Sequence, residues 1–397
     1  MERGRYTTGV LALFHGLALF VALNAVAWLA LQAMPDDPVT FTYGPRSLGT
    51  VYPGRTREEV RDLLGETWHR PAAFKPFTVT GERRYRGRFV NVDAAGFRQS
   101  RDQGPWPPDP ARANVFVFGG STTFSYGVAD DETVVSGLQA WLGPRLGPRR
   151  LACYNFGSAG YYSTQERILL QELLAAGHVP HLAVFIDGLN EFAIAVPWPS
   201  AILRRAMDAP VSSAIKVLTG ELPLATLVER WKARRMPRRR PEELASAYDD
   251  PALLERRIER YLANRRLITA TAAAYGVPVL FVVQPVPTYH YQLRYHLFGD
   301  FDFQQNNYSA FGYPRLAERL RREPPGRDLL WAADMQDRVS EPLYVDEIHY
   351  TAAMCGRVGE EVGRAILERG LLRGLSPGPG PAASGPAAAT RHPSGSG

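Results

Sequence analysis

Two short motifs in this 397-residue chain carry residue types that can do chemistry together: Phe118-Gly119-Gly120-Ser121-Thr122-Thr123 and Asp346-Glu347-Ile348-His349. A serine hydroxyl is a poor nucleophile until a base stands within hydrogen-bond reach. An imidazole changes protonation near neutral pH and can be that base. A carboxylate on its far ring nitrogen fixes the tautomer and stabilises the imidazolium. Asp346 precedes His349 by three residues, so one turn of backbone brings its carboxylate to the ring. Among the eight histidines only His349 has an aspartate at that offset. Glu66 stands three before His69, but that pair lies upstream of the serine. The chain order is Ser…Asp…His, the minimum set for nucleophilic hydrolysis if the fold joins its ends.

Taken singly, each block has a plainer reading. Gly119-Gly120-Ser121 is otherwise a tight turn or a phosphate-cradling loop, though it lacks the Lys-Ser/Thr ending of a P-loop. Ser121 does not sit in Gly-x-Ser-x-Gly, so the elbow of ordinary α/β-hydrolases is not indicated. Asp346 alone reads as a helix cap, and Asn155 and Asn190 alone as turn residues. His178 and His181 flank Pro180 with no third histidine or cysteine close by, which reads as a loop rather than a metal site. His290, Tyr291 and Tyr295 are candidates to line a site or to pack a loop.

The elements that must position these residues alternate. Apolar runs of strand length occur at 114–118, 151–156, 182–186 and 278–283. Helical spacing occurs at 133–142, 163–176 and 350–373. Short apolar strands separated by helices predict a three-layer α/β fold, a parallel sheet flanked by helices. Each strand runs into a polar or glycine-rich turn: Gly119-Gly120-Ser121, Asn155-Phe156-Gly157-Ser158, Asp187-Gly188-Leu189-Asn190-Glu191 and Gln284-Pro285-Val286-Pro287. All four turns are expected on the carboxyl edge of the sheet, where such folds bind ligands.

These blocks, in this order, resemble the SGNH/GDSL hydrolase family over residues 114–372. Phe-Gly-Gly-Ser121-Thr-Thr matches the first block, Asn-Phe-Gly157 the second, Asp-Gly-Leu-Asn190-Glu the third and Asp346-Glu-Ile-His349 the last. Gly120 stands where the family name has aspartate, and Glu191 where aspartate is usual. The resemblance implies an SGNH/flavodoxin-like sheet and a serine esterase with Ser121 as nucleophile, His349 as base and Asp346 as its orienter. It implies an oxyanion hole from the backbone N–H groups of Ser121 and Gly157 and the side-chain amide of Asn190. It implies no metal or organic cofactor.

The ends of the chain speak about location. Residues 9–33 carry no charge, and about 20 such residues cross a bilayer as a helix. Arg3 and Arg5 precede the run and Asp36 and Asp37 follow it, which predicts a cytoplasmic N-terminus (1–8) and an extracytoplasmic catalytic domain. Ala25-Val26-Ala27 resembles a signal-peptidase site, but the apolar run continues past it, which favours an uncleaved anchor. Residues 34–110 read as an accessory segment, 111–373 as the hydrolase domain with a helical insertion at 192–269, and 374–397 as a disordered tail. The insertion reads as a solvated helical excursion, with a lid or a membrane-surface or partner contact as the functional reading.

Composition excludes other classes. The net charge of +6 is almost wholly arginine, with Lys75, Lys216 and Lys232 the only lysines. The basic cluster at 230–240 lacks interleaved stacking aromatics beyond Trp231, so nucleic acid is not an expected partner. Cys153 and Cys355 read as buried free thiols. The substrate expected of an outward-facing anchored enzyme is an acylated glycan, lipid or small-molecule ester. Transfer of the same acyl group to a surface polysaccharide is the first alternative, and a non-catalytic glycan-binding scaffold the second.

Overall fold

A computed structural model describes residues 2–34, 37–146, 150–196, 222–233 and 237–372, and between them 200, 204, 207–209, 211–212 and 219–220. The expected tail at 374–397 and parts of the expected insertion, among them 197–199, 201–203, 213–218 and 234–236, lie outside the described residues.

The chain begins with helix α1 (Glu2–Gln32), followed by α2 (Pro38–Tyr43), α3 (Pro45–Val51) and α4 (Arg57–Trp68). Within α1, Thr7–Gln32 is long and apolar enough to cross a membrane, its most apolar 18 residues having a mean hydropathy of 2.2. Two small antiparallel pairs come next, β1 (Ala72–Lys75) with β2 (Val79–Glu82) and β3 (Tyr85–Arg86) with β4 (Asn91–Val92). The strand-like sequence at 74–79 and 84–92 does not form continuous strands. Residues 76–78 instead form the β1–β2 turn, where Pro76 has no N–H for a ladder. The N–H groups of Arg88, Phe89 and Val90 donate to the Glu66 carboxylate, which interrupts the second run.

The central sheet holds β5 (Ala113–Gly119), β6 (Leu151–Gly157), β7 (Leu182–Asp187), β8 (Val279–Val283) and β9 (Leu329–Trp331). Its order is β6-β5-β7-β8-β9 and every pair is parallel. The helices are α5 (Ser121–Phe124), α6 (Val134–Leu142), α7 (Ser163–Ala175), α8 (Leu189–Ala193), α9 (Pro223–Ala233), α10 (Pro241–Tyr248), α11 (Pro251–Ala274), α12 (Tyr308–Arg322) and α13 (Ala352–Arg369). Side-chain alternation assigns the layers. Val115, Val117, Val184, Ile186, Leu280 and Val282 face α6 and α13 in one core. Phe116, Phe118, Phe185 and Phe281 face α7 and α11 in the other. Phe118 stacks on Phe185 at 4.8 Å, and Phe185 on Phe281 at 5.4 Å, an aromatic ladder across three strands. Burying each such ring contributes about 1.5–3 kcal/mol.

Three elements depart from the sequence reading. The insertion expected at 192–269 is shorter, because α11 is the crossover helix between β7 and β8. Its Ile268 and Ala272 are fully buried against the sheet, and Leu254 and Ile258 against α12 and α8. Strand β9 and helix α12 were not anticipated. The strand has three residues, and α12 carries Gly312 and Pro314 inside it.

The accessory segment shares a core with the carboxyl edge of the sheet. Leu48, Leu63, Leu64, Phe89 and Val90 pack with Phe124, Ala129 and Val345. The N–H of Arg98 donates to the carbonyl of Asn155 at 2.8 Å, which fastens the segment to the end of β6.

Candidate active site

The sheet ends where chemistry begins. Strand β5 stops at Gly119, and Ser121 opens the four-residue helix α5, which ends at Ser125 in the left-handed region. His349 lies in the turn just before α13, whose cap Thr351 accepts the N–H of Met354. The fold brings the two side chains together: Ser121 Oγ lies 2.8 Å from His349 Nε2. His349 Nδ1 lies 2.7 Å from Asp346 Oδ2. The ionised carboxylate only accepts, so Nδ1 carries the ring proton and Nε2 is free to accept from the serine hydroxyl.

Asp346 builds its own turn. Its Oδ1 accepts the N–H of Ile348 at 2.9 Å and of His349 at 2.8 Å, leaving Oδ2 for the ring. Burial acts to raise the Asp346 pKa. Attraction to His349 and these hydrogen bonds outweigh it, so the carboxyl sits below its ordinary range and stays charged.

Aromatic rings hold the imidazole. Tyr126 stacks on it, with centroids 5.2 Å apart and 22° between planes. Trp68, the last residue of α4, meets it edge-on at 5.8 Å. Behind them Arg70 lies over Phe124 and Tyr126 and pairs with Glu82 at 3.0 Å. The other Glu82 oxygen accepts from Ser158 Oγ at 3.2 Å. Tyr43 of α2 donates its hydroxyl to Glu347, beside Asp346. The buried Arg98 guanidinium donates to the carbonyls of Phe124, Ser125 and Val128 and pairs with Asp130 at 2.9 Å, fixing the chain that leaves α5. Nothing in their spacing marked these accessory residues in the sequence, and only the folded contacts do.

Asn190 starts the second turn of chemistry. Its Nδ2 donates to the Tyr161 carbonyl at 2.7 Å. A Cβ built on Gly120 would meet that Nδ2 at 2.3 Å, so glycine at 120 lets the amide lie directly against the turn that carries Ser121. Gly157 answers a different need from the one expected. A Cβ there would meet the N–H nitrogen of Phe124 at 2.2 Å, so glycine lets β6 touch α5. Its own N–H donates to Asn155 Oδ1 at 3.0 Å and is committed within the turn. Among the described residues the N–H groups of Ser121 and Gly160 have no such partner, and Gly160 adjoins Tyr161 beside Asn190. Below Asn190, Glu166, Asp187 and Glu191 are buried together, and burial followed by mutual repulsion raises Glu166 and Asp187 far above ordinary carboxyl values. Burial also raises Glu191, opposed by Arg260 at 3.6 Å.

The remaining candidates sit elsewhere. His178 packs on Trp106, and His181 Nδ1 accepts the N–H of Asn114 at 3.1 Å. His290 pairs with Asp334 at 2.8 Å, and Tyr291 donates to the Glu341 carbonyl. Glu66 serves the backbone of residues 88–90. Cys153 and Cys355 are free and buried. Among the described residues no group of three or more His, Cys, Asp or Glu side chains could hold a metal ion.

No protein-family model and no curated protein matches this chain. Similar solved structures include the lipase Lip_vut3 from a goat rumen metagenome, at 12% identity and TM-score 0.38, over 66% of this chain and 99% of that one. A member of the lipolytic protein G-D-S-L family from Veillonella parvula DSM 2008 is similar at 12% identity and TM-score 0.31, over 64% and 96% of the two chains. TesA is similar at 17% identity and TM-score 0.33, over 65% and 99%.

Proposed function

We propose that this chain is a serine ester hydrolase working through an acyl-enzyme. The observation that carries the reading is the unbroken line of contacts from Ser121 Oγ to His349 Nε2, 2.8 Å, and from His349 Nδ1 to Asp346 Oδ2, 2.7 Å. In this reading His349 takes the Ser121 proton as Oγ attacks the ester carbonyl, and Asp346 stabilises the resulting imidazolium. The oxyanion is received by the N–H of Ser121, the Asn190 amide and, in the loop after β6, the N–H of Gly160 in place of Gly157. The imidazolium returns its proton to the departing alcohol. Water then repeats the attack on the acyl-enzyme with His349 again as base.

The apolar Thr7–Gln32 helix supports a membrane anchor, and the charges flanking it support a catalytic domain outside the cytoplasm. An enzyme so placed meets acylated glycans and lipids, which we take as its substrate class. The test is to incubate the full chain in detergent micelles with 4-nitrophenyl acetate, with and without an oligosaccharide. Release of acetate in both cases supports hydrolysis. Acetylated sugar would convert the reading to acyl transfer. Nitrophenol release no faster than that of a Ser121→Ala control overturns it.

A further inference from the structure

Helix α9 does not stand in solvent as an independent excursion; it packs along α1. The contact begins at Asn24, whose Oδ1 accepts the N–H of Leu224 at 3.2 Å while its Nδ2 donates to the Phe20 carbonyl. Leu224 is the second residue of α9, where a helix has N–H groups without intrahelical partners. Asn24 therefore caps α9 from another helix.

The depth of that cap matters. Thr7–Gln32 has 26 residues, about 39 Å of helix against about 30 Å of hydrocarbon. Centred in the bilayer, Asn24 lies about 8 Å inside the hydrocarbon boundary. Residues 7–23 of α1 are all exposed, whereas Asn24, Ala27, Ala30, Leu31 and Met34 form one covered face, with Ala27 only 1% exposed. Thus α9 starts at the depth of Asn24 and runs toward the catalytic domain. Its sequence follows the same gradient. Leu222–Val228 is uncharged and about 10 Å long, and Glu229, Arg230, Trp231 and Lys232 follow. Val228 is 42% and Trp231 53% exposed. An apolar start, then a tryptophan among charged neighbours, is the order of hydrocarbon, interface and headgroups. A helix start in lipid needs its N–H groups satisfied, and an asparagine inside a membrane span needs a partner; each meets the other's need.

We propose that α9 is a second membrane element, which enters the leaflet nearer the catalytic domain beside the anchor and is held there by Asn24. The partner is the lipid bilayer itself. The inference rests on the anchor reading above, and its test separates the two. A fluorophore is attached at Val228→Cys, with Leu13→Cys in the anchor and Glu255→Cys on the globular body as references, and the full chain is reconstituted into phosphatidylcholine vesicles holding lipids with a mid-chain nitroxide quencher. We expect strong quenching at 13, intermediate quenching at 228 and little at 255. Adding Asn24→Leu should lower quenching at 228 at least twofold, with hydrolysis of a soluble ester unchanged. Quenching at 13 but none at 228 overturns the inference and leaves the anchor standing. No quenching at either overturns both. Full quenching at 228 in the Asn24→Leu form removes the cap from the account.

Discussion

The indole of Trp68 meets the imidazole of His349 edge to face, with 5.8 Å between ring centroids and 75° between planes. Trp68 belongs to the segment before the sheet domain, so the proposed base is oriented by a part of the chain that carries none of the motifs. Replacing Trp68 with alanine removes one wall of the ring's seat. Turnover should fall between about 10- and 100-fold with KM little changed, and Trp68→Phe should recover most of it. Steady-state kinetics on a soluble ester checks this. Equal kcat in wild type and Trp68→Ala would show that the wall does not position the ring.

Asp346→Asn preserves the side chain's shape but presents either a donor or a neutral acceptor to His349 Nδ1. The ring then loses its fixed tautomer and the charge that stabilises its protonated form. A drop in kcat on the order of 10⁴ is expected, with the folded state retained. A loss below about tenfold would assign Asp346 to the turn alone.

Asn190→Ala removes an amide that already lies against Gly120. Turnover should slow about 100- to 1,000-fold at nearly unchanged KM. Unchanged turnover would exclude Asn190 from stabilising the oxyanion.

Glu166, Asp187 and Glu191 make stability depend on pH. Burial, the largest cause for each, raises their folded-state pKa values. A carboxyl raised in this way contributes its stability fully below the unfolded pKa, near 4.3, and loses it as pH climbs toward the folded value. Glu166→Gln abolishes one titration, so its Tm should exceed wild type by a few degrees at pH 8 and by less at pH 5. Thermal unfolding of the full chain at both pH values measures the difference. A gain independent of pH would mean that the cluster does not titrate as described.

The parallel sheet was legible because its strands are short apolar runs, each closing in a turn of distinct chemistry. Ser121 and Asn190 stood out for the same reason, and Asp346 and His349 by their three-residue offset. The role proposed for Gly160 was not legible, because Gly157 also follows Asn155 and only the hydrogen bond to Asn155 Oδ1 shows that the Gly157 N–H is committed. Helix α12 was hidden by Gly312 and Pro314. The helical character of α11 was legible, but its charged face masked the buried stripe Leu254, Ile258, Tyr261 and Ile268 and with it the crossover role. Trp68, Arg70, Glu82 and Arg98 were illegible in principle. Each acts across the fold on a partner far along the chain, and no local pattern records such a pairing.

The central claim is that Ser121 is a nucleophile activated by His349. Its most direct measurement is covalent labelling of the full chain by a fluorophosphonate, followed by mass spectrometry of the peptide containing residue 121. The account predicts one adduct per chain on Ser121, absent in Ser121→Ala and strongly slowed in His349→Ala. An unlabelled wild type, or equal labelling of the Ser121→Ala form, would contradict it.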